Sequence, residues 1–135
     1  MKEALLSIIK DENRIITGQI DPQYLSDNLG RKKGTAEAVV FPVSTEEISG
    51  VMRYAWKNNL PVTPRGAGTN LVGSTVPSGY GIVLDVSLMN HVLELDEETF
   101  TATVEPGVVL EDFQAYVESK GLFYPPDPGE KKATI

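Results

Sequence analysis

Cysteine is absent from this 135-residue chain, and histidine occurs once, at His91. The first absence excludes a disulfide scaffold, a thiolate nucleophile and any Cys-ligated metal or iron–sulfur cluster. The second leaves no histidine cage for a metal and speaks against a local Ser-His-Asp triad, so no metal ligand and no catalytic residue is assigned. Basic residues are scarce as well: 12 Lys and Arg stand against 19 Asp and Glu, a net charge of −7. A nucleic-acid binder needs a basic excess or stripe. The longest basic run, Arg31-Lys32-Lys33, sits beside Gly34 and reads as a solvated turn, so no nucleic-acid partner is expected. Apolar runs are short, none approaching the roughly 20 residues that cross a bilayer. The amino terminus has an early acid, Glu3, and too brief an apolar stretch for a secretion signal, which makes the cytoplasm the expected location. What is present is a globular composition, 41% hydrophobic and 23% charged, which excludes disorder as the main state.

Periodicity and punctuation give the elements. Leu5, Leu6, Ile8 and Ile9 form a small helical face over residues 3–10. Asp21-Pro22 is a helix start, since Asp can cap and Pro fits the first helical position; the helix should run through Tyr24 and Leu25 to Leu29-Gly30. Ala38-Val39-Val40-Phe41-Pro42 reads as a buried strand. Ser44 followed three residues later by Glu47 is a capping box. The helix behind it carries Ile48, Val51, Met52 and Ala55 on one face, with Trp56 beside them as a packing residue, and stops near Asn58-Asn59. Residues 61–64 form a second strand, so 38–64 is a βαβ unit, whose crossover should be right-handed. Ile82–Val86 is a third strand. Residues 92–96 and 99–105 alternate around the acidic link Asp96-Glu97-Glu98, an antiparallel hairpin with Leu93 and Leu95 on one face and Phe100, Ala102 and Val104 on one face. Leu110, Phe113 and Val117 then mark a helix ending at Gly121 in a left-handed cap. Three prolines keep the segment 123–129 extended. The expected fold class is α+β: a small parallel βαβ sub-domain over residues 1–75, plus the start of a second, mainly antiparallel sub-domain over residues 76–135.

The chemistry concentrates in Pro64-Arg65-Gly66-Ala67-Gly68-Thr69-Asn70-Leu71-Val72-Gly73-Ser74-Thr75. Successive backbone N–H groups in such a loop can converge on an anion. Arg65 is its only cation. The dinucleotide fingerprint fails because Leu71 stands at its third glycine, and the P-loop fails because Ser74 replaces its lysine. Composition alone leaves open a long structural loop and a diphosphate site.

Residues 61–73, Pro-Val-Thr-Pro-Arg-Gly-Ala-Gly-Thr-Asn-Leu-Val-Gly, resemble the FAD pyrophosphate loop of the FAD-linked oxidases, the vanillyl-alcohol oxidase or PCMH-type flavoproteins. The nearer likeness is to their glycolate oxidase / D-lactate dehydrogenase branch. The strand 38–42 with its capped helix, residues 81–90, residues 104–108 and residues 121–128 resemble that branch in the same order and spacing. The resemblance implies a PCMH-type FAD-binding fold, incomplete in this chain. It implies that Gly66, Ala67, Gly68, Thr69 and Asn70 offer backbone N–H groups to the pyrophosphate, that Gly73 and Ser74 continue that wall, and that Pro126 and Asp127 lie near the ribityl chain or flavin ring. Arg65 either offsets phosphate charge or pairs with a local carboxylate. Some relatives attach FAD through a histidine in the loop; Thr69 holds that position, so non-covalent FAD is expected. Asn70 and Ser74 stand where close relatives often have glycine.

The implied parent is a flavin-dependent oxidoreductase acting on a small 2-hydroxy acid such as glycolate or D-lactate, with association with other oxidase subunits open. Its substrate and catalytic groups would lie beyond Ile135, so the chain is expected to be the N-terminal part of a longer reading frame, inactive alone and holding FAD weakly or not at all. The alternatives are a stand-alone, non-catalytic domain binding a nucleotide or a protein, and an ATP-type phosphate enzyme, against which the missing lysine argues. His91 is expected at a surface turn, and Glu94, Asp96, Glu97, Glu98 and Glu105 on a solvated hairpin. Phe123 and Tyr124 are expected to close the core.

Overall fold

The computed structural model describes residues 1–135. Its elements are α1 (Lys2–Ile9), β1 (Ile15–Thr17), β2 (Ala38–Val40), α2 (Thr45–Lys57), β3 (Val62–Arg65), β4 (Ile82–Asp85), β5 (Val92–Asp96), β6 (Thr101–Val104) and α3 (Leu110–Glu118). A four-stranded sheet has the order β1-β2-β4-β3, with β2, β4 and β3 parallel and β1 antiparallel at the edge. A separate hairpin pairs β5 with β6.

Strand periodicity decides what each face carries. Ala38 and Val40 of β2 and Ile82 and Leu84 of β4 face α1 and α2, where they pack with Leu5, Ile9, Val51 and Ala55. Val39 and Val83 point to the opposite face, against Ile20, Tyr24 and Phe41. Both faces of the central strands are therefore apolar, as parallel strands require. Each of these fully buried branched side chains contributes about 1.5–3 kcal/mol. Helix α2 begins as its capping box demands: the Ser44 hydroxyl accepts the Glu47 N–H at 3.2 Å. The Glu47 carboxylate reaches back to the Val43 N–H at 2.9 Å and takes a two-pronged bond from Arg14, at 2.6 and 2.9 Å. Arg14 also donates to the carbonyls of Ile9 and Phe41, so one guanidinium ties the end of α1 to the end of β2 and the start of α2. That bond to Arg14, first among several causes, holds the Glu47 carboxyl below its ordinary range.

Several expectations are corrected. The helix from Asp21 to Gly30 is a single 3-10 turn, Pro22–Tyr24. The chain then turns away, because residues 25–37 hydrogen-bond across to the Gly-rich loop: Asn28 N–H to the Asn70 carbonyl, Thr35 N–H to that of Pro77 and Glu37 N–H to that of Gly81. The two outer strands of the βαβ unit are not neighbours, since β4 lies between β2 and β3. Strand β4 belongs to the first sheet, so that sheet draws on residues from both sides of position 75/76. Edge strand β1 was not anticipated. Trp56 is 86% exposed, because only the Val51–Ala55 row of α2 meets the sheet. In the hairpin a register shift at Leu93 turns that side chain outward, while Val92, Leu95 and Val104 pack against Val108, Phe113 and Val117 of the α3 layer. Phe100 sits in the tight turn at φ 55° and is exposed. Tyr124 packs edge-on against Phe113, and Phe123 faces solvent. No helix is long and apolar enough to cross a membrane.

Candidate cofactor-binding site

In open α/β sheets, ligands meet the crevice outside the carboxyl ends of parallel strands. The Gly-rich loop leaves β3 at that end. Parallel register sets Arg65, the last residue of β3, beside Asp85, the last of β4. Arg65 is 9% exposed and Asp85 3%. Arg65 Nε lies 3.7 Å from an Asp85 oxygen, and its guanidinium stands 5.6 Å from the centre of the Tyr24 ring, a cation–π contact. Burial, and secondarily the Asp85 charge, pushes the Tyr24 hydroxyl above its ordinary range. Arg65 Nη1 is buried and has no hydrogen-bond partner. The one other buried side-chain polar atom in that condition is Thr75 Oγ1, at the far end of the same loop.

The loop's glycines are needed for two reasons. Gly68 has φ +73°, and a Cβ there would run into the Arg65 guanidinium. A Cβ at Gly66 would collide with the Thr134 side chain, and one at Gly73, also left-handed, with the stem of Lys32. The side of the loop that side chains would fill is thus occupied by the protein itself. Its N–H groups fall into two sets. None of the six from Gly66 to Leu71 donates a hydrogen bond within the chain. Those of Val72, Gly73 and Ser74 all donate to Asn70 Oδ1, at 3.1, 2.7 and 2.9 Å. Six unspent amides in a row and an unspent, buried guanidinium N–H fit a diphosphate, which accepts many hydrogen bonds and carries negative charge.

Beside the loop is a cleft of about 450 Å³ lined by Ala67, His91, Val108, Asp112, Tyr116 and Thr134, among others. Pro126 and Asp127 are not among its lining residues. The Pro126 carbonyl accepts a bond from Gln114 of α3, and the Asp127 carboxylate pairs with Lys131. The tail meets the loop instead at Thr134, through bonds that join residues 108–111 to 131–135. His91 is exposed and bonds Glu105 at 2.7 Å. Tyr24, Asp85 and Lys32 were not anticipated at this site. The acid closing an apolar strand, Ile82-Val83-Leu84-Asp85, was the available signal for Asp85.

This arrangement defines an FAD-binding domain: residues 36–135 match the family model described as "FAD binding domain", and the chain belongs to that family. Its cofactor is FAD. The glycolate oxidase subunit GlcD of Bacillus subtilis (strain 168) is 42% identical over 132 residues, 98% of this chain and 28% of that protein. The D-lactate dehydrogenase of Anaerostipes hadrus is 40% identical over 124 residues, 90% of this chain and 26% of its own length. The chain thus spans about a quarter of these relatives. Among solved structures, the berberine-bridge-enzyme-like protein 1 of Physcomitrella patens superposes with a TM-score of 0.82 over 99% of this chain and 29% of its own; at 17% identity it shows the fold alone.

Proposed function

We propose that the chain forms part of the FAD-binding domain of an oxidoreductase acting on a small 2-hydroxy acid, the glycolate or D-lactate type. The row of unspent amides from Gly66 to Leu71, on a chain of this family, is the observation that carries the reading. FAD, when bound, would supply the hydride-accepting redox chemistry. The chain's own residues bind and orient. The amides of Gly66, Ala67, Gly68, Thr69 and Asn70 hold the pyrophosphate, and Arg65, fixed beneath Gly68 by Tyr24 and Asp85, offsets its charge. Thr69 offers no nucleophile of the histidine kind, so the flavin is held without a covalent bond. No group in the chain is assigned to proton transfer or to the substrate, so on this reading the chain alone gives no turnover and holds FAD weakly. Association with another oxidase subunit belongs to the same proposal, since the Bacillus relative is itself named a subunit.

Titrating FAD into the ¹⁵N-labelled chain tests the reading. Saturable shifts centred on the amides of residues 66–71 are expected, with affinity in the millimolar range. Shifts scattered away from the loop, or equal binding of ATP, would overturn it.

A further inference from the structure

Both hydrogen-bonding atoms of the Asn70 side chain are engaged within the loop. Its Oδ1 gathers the three N–H groups of Val72, Gly73 and Ser74, and its Nδ2 donates to Ser74 Oγ at 2.6 Å. Its main-chain carbonyl accepts the Asn28 N–H at 2.9 Å, anchoring it to the segment that runs beside the loop. Gly73 at φ +84° gives the backbone the left-handed turn within this circle. The result is a five-residue ring, 70–74, closed by four side-chain bonds at one pivot.

This ring has a consequence for the two residues that the resemblance placed in the phosphate wall. The N–H groups of Gly73 and Ser74 are already spent on a neutral oxygen, whereas those of 66–71 are not. A ligand phosphate could recruit them only by displacing Oδ1 and breaking the Nδ2 bond as well. We propose that Asn70 is a positioning residue. It locks the 70–74 turn, withdraws three amides from the ligand and confines the pyrophosphate to the 66–71 amides. The inference rests on the FAD reading of the loop, but the lock itself exists without flavin. An amide oxygen suits the task because it accepts several N–H bonds without placing a negative charge beside an anionic ligand, and because the same group donates to Ser74. A glycine there would leave the turn free to open. Binding would then be weakened by the fraction of time the turn is closed: a closed population of about one tenth raises the apparent Kd about tenfold.

The test has one arm that needs no flavin. In the FAD-free chain, N70A should speed amide hydrogen exchange at residues 72–74 by about tenfold or more. N70D, which keeps the acceptor, should restore slow exchange. The resonances of Val39 and Val83 report that the core stays folded. In the second arm, FAD is titrated into wild type and N70A. The wild type should shift residues 66–71 and leave 72–74 and the Asn70 side-chain amide in place, and N70A should bind about tenfold more weakly. Unchanged exchange in N70A overturns the lock. Tighter binding by N70A, or wild-type shifts concentrated on 72–74 and the Asn70 Nδ2 protons, overturns the positioning role and makes Asn70 a competitor of the phosphate. If FAD shifts nothing in either protein, the FAD reading fails and takes the ligand half of the inference with it, while the exchange arm still decides the lock.

Discussion

Replacing Gly68 by Ala perturbs the site at a point where two costs can be separated. The first is backbone strain. A residue with a Cβ at φ +73° costs roughly 1–2 kcal/mol in the left-handed region. A lower unfolded-chain entropy returns about 0.4–1 kcal/mol. The second cost is specific to this position. The new methyl occupies the place of the Arg65 guanidinium, which must leave its pocket between Tyr24 and Asp85. A desolvated cation–π contact is worth about 2 kcal/mol. The Asp85 pairing is loose at 3.7 Å, so it adds little more than its share of keeping a buried carboxylate compensated. Gly79 is the natural control: its φ is +84° and a Cβ there meets nothing within 4 Å. Gly79→Ala should cost about 1 kcal/mol and Gly68→Ala about 3 kcal/mol. A gap of about 2 kcal/mol separates the melting midpoints by roughly 8 °C in a domain of this size. Urea unfolding of both variants reads the gap, and the Gly68→Ala/Arg65→Ala double variant checks its origin. Once the guanidinium is gone, the methyl should add only the strain. Equal destabilisation by the two single variants, or full additivity in the double, would refute the account of Gly68 as the seat of Arg65.

Two further outcomes follow from charged groups elsewhere. Glu47→Gln weakens the clasp from Arg14 and the cap on Val43 at a site where both charged side chains are mostly buried; urea unfolding at pH 7 should show a loss of about 2–3 kcal/mol. Because folding lowers the Glu47 carboxyl, its contribution is complete above the ordinary value of 4.5 and fades as pH falls through the folded value. Wild type and Glu47→Gln should therefore converge in stability below pH 4.5, and a gap that persists into strong acid would sink the assignment. Asp85→Asn removes one of the three causes that raise the Tyr24 hydroxyl, the others being its burial and the Asp21 charge. Ultraviolet titration should show that phenol ionising at lower pH than in wild type, still above an ordinary tyrosine because its burial remains; an unmoved titration would disprove the proximity.

Most of the architecture was legible because it is written in local chemistry. The Ser44–Glu47 cap, the Val51–Ala55 row, the apolar strands and the left-handed Gly121 each act within a few residues of themselves. What escaped reading depends on partners distant in sequence. Strand β1 has three residues and exists because β2 offers it an edge. The helix expected after Asp21-Pro22 has a good start, but residues 25–37 find better hydrogen bonds along the Gly-rich loop than along a helix axis. Leu93 obeys the strand period until one extra residue in β5 inverts it. Trp56 lies next to the apolar stripe in angle, but it falls outside the row of Ile48, Val51 and Ala55 that packs on the core and is left exposed.

The loop itself shows the same division more sharply. Its glycines announced that main-chain amides would be available, and six of them are. Nothing local said which. The selection comes from Asn70, whose side chain takes three amides out of use, and from β3–β4 register, which buries Arg65 under Gly68 rather than leaving it in solvent. On the reading proposed above, these choices also account for how a chain of net charge −7 would serve a doubly negative diphosphate. Donors fixed by the fold carry only partial charges, but they need no reorganisation when the anion arrives, and the Arg65 charge is shared with the buried Asp85 carboxylate beside it. Of the acidic residues, Asp85 lies beside Arg65 and Asp112 lines the cleft that Ala67 also lines, while Glu94, Glu97 and Glu98 of the hairpin are exposed, where salt screens charge over about 10 Å. On the proposed reading, the donors that matter for binding are the loop amides and Arg65, and not the overall excess of Asp and Glu in the composition.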